Sequence, residues 1–100
     1  MTSRAHVLVS GRVQGVGFRW FARRSAQTHG VRGWCANLSD GRVEIVAEGE
    51  RAALEAFTAE LRLGPPAARV ERCTVELDAP FDELALSSTR IALAPAQRDQ

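Results

Sequence analysis

The order in which apolar residues switch between a period of two and a period near 3.6 constrains this chain more than any other feature. Residues 5 to 11 (AHVLVSG) set Val7 and Val9 between His6, Leu8 and Ser10, the alternation of a half-buried strand, and the run ends at Gly11. A glycine-punctuated loop, RVQGVG, comes next. From Phe18 to about His29 there is neither glycine nor proline; Phe18, Phe21, Ala22 and Ala26 recur at helical spacing, and Gly30 supplies the stop. Residues 31 to 38 (VRGWCANL) and 42 to 48 (RVEIVAE) read as two further strands. Ser39-Asp40-Gly41 between them is short enough for a hairpin, with glycine supplying positive φ. Over 50 to 63, Leu54, Phe57 and Leu61 fall at i, i+3 and i+7, and Gly64-Pro65-Pro66 ends the helix. A fourth strand over 70 to 77 puts Cys73, Val75 and Leu77 on one face, and 88 to 94 (STRIALA) is expected to add a fifth.

The order is βαββαβ with an extra C-terminal strand. Each helix then joins two parallel strands and the central pair is a hairpin. The fold class expected is α+β, a ferredoxin-like βαββαβ sandwich: a mostly antiparallel sheet of four to five strands with two helices on one face. A chain of 100 residues makes one domain, expected over 1–94 with a frayed tail at 95–100. It is large enough to bury roughly 65% of the surface its unfolded form exposes. Such a fold hosts enzymes, RNA binders and metal carriers alike, so function has to be sought in particular residues.

Composition removes several chemistries. There is no lysine, hence no Walker-type phosphate loop and no lysine Schiff base. Cys35 and Cys73 stand far apart, and His6 and His29 lie in no zinc-type spacing, so neither metal nor cofactor is expected. No apolar run approaches the roughly 20 residues that span a bilayer, and the N-terminal apolar stretch is short for a signal peptide. A monomer in a reducing cytoplasm, without membrane or nucleic-acid partners, is the expectation. The net charge of +1 conceals an asymmetry, because all 12 acids lie at or beyond Asp40 while the preceding residues hold Arg4, Arg12, Arg19, Arg23, Arg24 and Arg32. An acid-free basic segment suits an anionic partner.

A right-handed crossover would bring the end of the first strand and the end of the second to the same sheet edge. The loop Arg12 to Gly17 and Asn37 should therefore be neighbours. Free backbone N–H groups in the loop and the first helical turn suit a phosphate-sized anion, and Arg19 adds a planar fork for two of its oxygens. A cation so near a helix N-terminus is disfavoured unless an anion answers it. The loop lacks the dinucleotide fingerprint, since Trp20 stands where a third glycine is needed. Asn37 taken alone, without the neighbouring loop, reads as a turn former before Asp40-Gly41. Arg23, Arg24 and Arg32 read as solvated. His6 reads as a strand-face residue, His29 as a partner of its own helix's C-terminus, and the cysteines as ordinary strand residues.

Val9-Ser10-Gly11-Arg12-Val13-Gln14-Gly15-Val16-Gly17-Phe18-Arg19 resembles the first signature of the acylphosphatase family, V-x-G-x-V-Q-G-V-x-F-R, at every specified position. Gly33-Trp34-Cys35-Ala36-Asn37 with Gly41, Val43 and Gly49 is similar to the second, departing at Ala36, where many relatives carry a basic residue. The resemblance implies hydrolysis of acyl phosphates to a carboxylate and inorganic phosphate on a metal-free site. It implies that Arg19 binds phosphate with backbone N–H groups of Gln14, Gly15, Val16, Gly17 and Phe18, and that Asn37 orients the attacking water. The chemistry is consistent: the leaving carboxylate, with a conjugate-acid pKa of about 4, needs no general acid. An RNA-binding module shares the element order, but it displays stacking aromatics on its third strand and RVEIVAE has none. A non-catalytic phosphate-binding or partner-binding domain is the other alternative.

Overall fold

The computed structural model describes residues 2–78 and 91–93. Along them run β1 (Thr2–Arg12), α1 (Phe18–His29), β2 (Arg32–Asn37), β3 (Val43–Glu50), α2 (Arg51–Leu63), β4 (Arg69–Leu77) and β5 (Ile91–Ala92). The element order follows the apolar spacing. β1 and β3 run longer than that spacing indicates because each is extended by the other: Thr2 pairs with Glu50 and Ser3 with Gly49, polar and small residues that carry no alternation of their own. Of the fifth strand expected at 88–94, Ile91–Ala92 is described; its first residues and its last, like the tail 95–100, lie outside the described residues.

The sheet order is β4-β1-β3-β2-β5, with every neighbouring pair antiparallel. β1 and β2 flank β3 and therefore run parallel without touching, and β3 and β4 flank β1 in the same way. Each helix thus carries the chain past one intervening strand. Val7 and Val9 of β1, Ile45 of β3 and Cys35 of β2 face Phe18, Ala22, Leu54, Phe57 and Leu61 of the helices in one core. Burial of the larger of these side chains contributes roughly 1.5–3 kcal/mol each.

Two features depart from simple in-and-out alternation. Glu44 and Val46, on the outer side of β3, are also largely buried, and the Glu44 carboxylate meets the His6 ring at 2.7 Å, a diagonal contact across β1 and β3. His29 does not serve its own helix end. Its Nε2 lies 3.0 Å from Glu60 Oε2 on α2, and the Ser25 hydroxyl donates to Glu60 Oε1 at 2.5 Å, so one carboxylate ties the two helices together. The end of α1 is closed instead by backbone, with Val31 N–H donating to Ala26 O and Gly30 N–H to Gln27 O.

Candidate functional site

Val9 and Asn37 both pair with Val43, from opposite sides. The ends of β1 and β2 are therefore two strand spacings apart, about 10 Å. The chain leaving β1 must turn over that gap. It does so through a bulge between Ser10 and Gly11, where β4 approaches so closely that a Cβ on Gly11 would sit 2.2 Å from Arg69 O. Val13 and Phe18, each 1% exposed, then anchor the two ends of the loop in the core. Between them Gly15 (φ 75°) and Gly17 (φ 81°) take left-handed conformations on either side of Val16, which does not. Such alternation turns successive N–H groups toward a common concavity. A Cβ at either glycine would meet nothing within 4 Å, so it is the backbone conformation and not space that calls for glycine.

Gln14 has a different part from the one its place in the loop suggests. Its amide Nε2 donates to Leu38 O at 2.8 Å and to Arg42 O at 2.9 Å, clasping the loop to the base of the β2–β3 hairpin. Leu38 N–H donates to Arg42 O across the same turn. Asp40 closes it, accepting from Arg42 N–H and Nε, and these bonds hold its carboxyl below the usual range. Since Asn37 directly precedes this turn, the clasp fixes loop and Asn37 relative to each other.

Gly17 caps α1 without any side-chain hydrogen bond, and no acid stands in the first turn. The N–H groups of that turn have no partner within the helix and point, with the positive end of its dipole, outward. There a cavity of about 280 Å³ opens, bounded by Gly15, Gly17, Phe18, Arg19 and Asn37. Val13, Trp20 and Arg23 complete it. Of the residues expected at the site, Gln14 and Val16 do not line this cavity with their side chains; Val16 packs against the core. Among the described residues no carboxylate pairs with Arg19 or Arg23. Cys35 of β2 is fully buried, and its thiol is pushed up to about 11 by burial, against the opposite pull of Arg19 and Arg23. It is uncharged and unsuited to act as a nucleophile at neutral pH.

The structure thus brings residues of both sequence signatures, Gly15, Gly17, Phe18 and Arg19 of the first and Asn37 of the second, around one cavity. The acylphosphatase family model matches residues 5–84. The chain belongs to the acylphosphatase family. An acylphosphatase of Anaeromyxobacter sp. (strain Fw109-5) is 52% identical over 88 residues, covering 88% of this chain and 95% of that protein. The crystal structure of acylphosphatase from Bacillus subtilis superposes with a TM-score of 0.75 at 38% identity, over 81% of this chain and 90% of that one. A structure of full-length HypF in its phosphate- and nucleotide-bound form matches with a TM-score of 0.73 at 32% identity, over 83% of this chain and 11% of that much longer one.

Within this acylphosphatase-family fold, the basic N-terminal segment sorts into distinct environments. Arg4 meets Glu48 at 2.6 Å, and Arg24 lies 4.9 Å from the centre of the Trp20 ring. Arg32 is exposed. Arg23, expected to be solvated, is half-buried and lines the cavity. The cue available in the sequence was its spacing, four residues after Arg19 on a helix, which places both on one face. Trp20, which stands where a dinucleotide-binding loop needs its third glycine, forms a wall of the cavity while 60% exposed.

Proposed function

We propose that this chain is an acylphosphatase that cleaves the carboxyl–phosphate bond of acyl phosphates using groups of the chain alone. The observation that carries this reading is the cavity where Arg19, the N-terminus of α1 and Asn37 meet with no opposing carboxylate among the described residues. The phosphoryl group sits against the N–H groups of the 14–18 loop and helix start, with the Arg19 guanidinium forked onto two of its oxygens. The Asn37 carboxamide orients a water opposite the leaving oxygen. The water oxygen bonds to phosphorus, the P–O bond to the acyl group breaks, and the carboxylate departs with the bonding electrons. One water proton stays on the new P–OH and the other ends on a phosphate oxygen. Catalysis here is positioning and charge stabilisation, which suits a leaving group that is already a weak base.

The test follows inorganic phosphate released from benzoyl phosphate in the presence of a chelator. Release well above the spontaneous rate is expected. A rate equal to the spontaneous one would overturn the assignment, and a rate abolished by chelator would overturn the chain-only mechanism.

The protein is further read as a cytoplasmic monomer acting on small molecules and not on nucleic acid. β3 carries no aromatic residue for base stacking. The exposed large apolar side chains Trp20, Leu63 and Leu77 sit on three different elements, Cys35 and Cys73 are free thiols, and among the described residues no helix is long and apolar enough to cross a membrane. Elution as a dimer in size-exclusion chromatography would contradict the monomer.

A further inference from the structure

Arg23 is the residue at the cavity whose state has no account in the reaction as written. Its Nε is buried, and no described residue accepts its proton. A buried guanidinium N–H without an acceptor is costly. Arg23 also stands one helical turn after Arg19, and like charges at that spacing repel. The repulsion is relieved, and both charges are answered, if an anion lies between the two guanidinium groups. Helical side chains lean back toward the helix N-terminus. A side chain as long as arginine reaches about one turn, roughly 5 Å, in that direction, and so returns toward the level of Arg19. Arg23 accordingly lines the same cavity as Arg19, Gly17 and Asn37.

We infer that Arg23 is a second substrate-binding residue, which holds the phosphoryl anion jointly with Arg19. The inference rests on the acylphosphatase reading of this cavity and adds a ligand to it. A doubly charged phosphoryl group then faces two guanidinium groups and the helix dipole, and Arg19 alone does not have to balance its charge. Since Arg23 holds the ground-state anion, its loss acts on KM more than on kcat.

Titration calorimetry with inorganic phosphate, which needs no turnover, tests this on the whole chain. Arg23→Gln is expected to weaken phosphate binding roughly tenfold or more, and Arg23→Lys, a point charge without the fork, by less. The melting temperature without phosphate should hold or rise, because Arg23 has no described partner to lose and its repulsion with Arg19 is relieved. Arg32→Gln, an exposed cation elsewhere, should bind phosphate as the parent does. Unchanged binding in Arg23→Gln, or an equal loss in Arg32→Gln, would overturn the inference. If Arg23→Gln fails to fold, Arg23→Met takes its place, and parental phosphate affinity in it would overturn the inference. A parent that binds phosphate through Arg23 yet releases none from benzoyl phosphate would sink the acylphosphatase reading and leave the binding role standing.

Discussion

The two β–α junctions of this pseudo-symmetric fold meet the same electrostatic problem in opposite ways. In the second, β3 ends at Glu50 and α2 begins at Arg51 with no loop between them. Arg51 brings a cation to a helix N-terminus, and the chain itself answers it: Nε donates to Ser3 Oγ at 3.3 Å and Nη2 to Asp78 Oδ2 at 3.2 Å. In the first, residues 13–17 intervene, the cap is a left-handed glycine, and no described carboxylate answers Arg19. β1 and β3 are antiparallel, so the two junctions lie at opposite ends of the sheet and only one of them adjoins the end of β2. A cation left unanswered by the fold is available to a ligand, and one answered within it is not.

The contrast is broken most directly by removing each arginine. Arg19→Ala is expected to lower kcat/KM about 10³-fold with little change in unfolding free energy. Arg51→Ala should leave kcat/KM as it was and cost less than about 1 kcal/mol, its ion pair being half-exposed. Phosphate-release kinetics and urea unfolding measure the two, and comparable losses of activity in both variants would erase the distinction. Asn37→Ala comes next. A fall of about 10²-fold in kcat with phosphate affinity intact would match a water-orienting amide, whereas full kcat would remove Asn37 from the mechanism.

Gln14→Ala tests whether the clasp, and not contact with substrate, is what that side chain contributes. Losing the donor to Leu38 O and Arg42 O should destabilise the fold by about 1–3 kcal/mol and weaken phosphate binding only as the loop loosens. A large binding loss at unchanged stability would instead place the amide on the ligand. The smallest effect is expected at Glu60, which does not line the cavity of Arg19 and Asn37. The Ser25 and His29 hydrogen bonds hold its carboxyl below the ordinary carboxylate range. Its contribution is therefore present above the unfolded-state pKa and is lost as pH falls through the lowered folded value. Glu60→Gln should cost under about 1 kcal/mol at neutral pH, because the carboxylate is 43% exposed, and should flatten the acid limb of a stability–pH curve. An unaltered acid limb would show that the inter-helix contact carries no linkage.

Much of this architecture is legible in residue order because it depends on local spacing. Phe18, Ala22 and Ala26 define one face of α1, and Leu54, Phe57 and Leu61 one face of α2; both faces are buried. Glycine at 15 and 17 signals its backbone conformation for the same reason, since positive φ is a property of one residue. Strand ends were less legible, because Thr2 and Ser3 become strand only through pairing with Glu50 and Gly49. Nor could spacing reveal that His29 turns to Glu60 on the other helix, or that Gln14 spends its amide on hairpin carbonyls 24 and 28 positions away.

The run of basic residues before Asp40 shows the same division. Its composition suits an anion, and the glycine loop with Arg19 and Asn37 offers donors of the kind an anion accepts, all by residue type and position along the chain. Which of those arginines stay available to it was decided in three dimensions. Arg4 is taken up by Glu48 and Arg24 by Trp20, while Arg19 and Arg23 keep their charge facing one cavity. Electrostatic pairing depends on distance in space, and the pairing of β1 with β3 brings Arg4 to Glu48 across 44 positions of sequence.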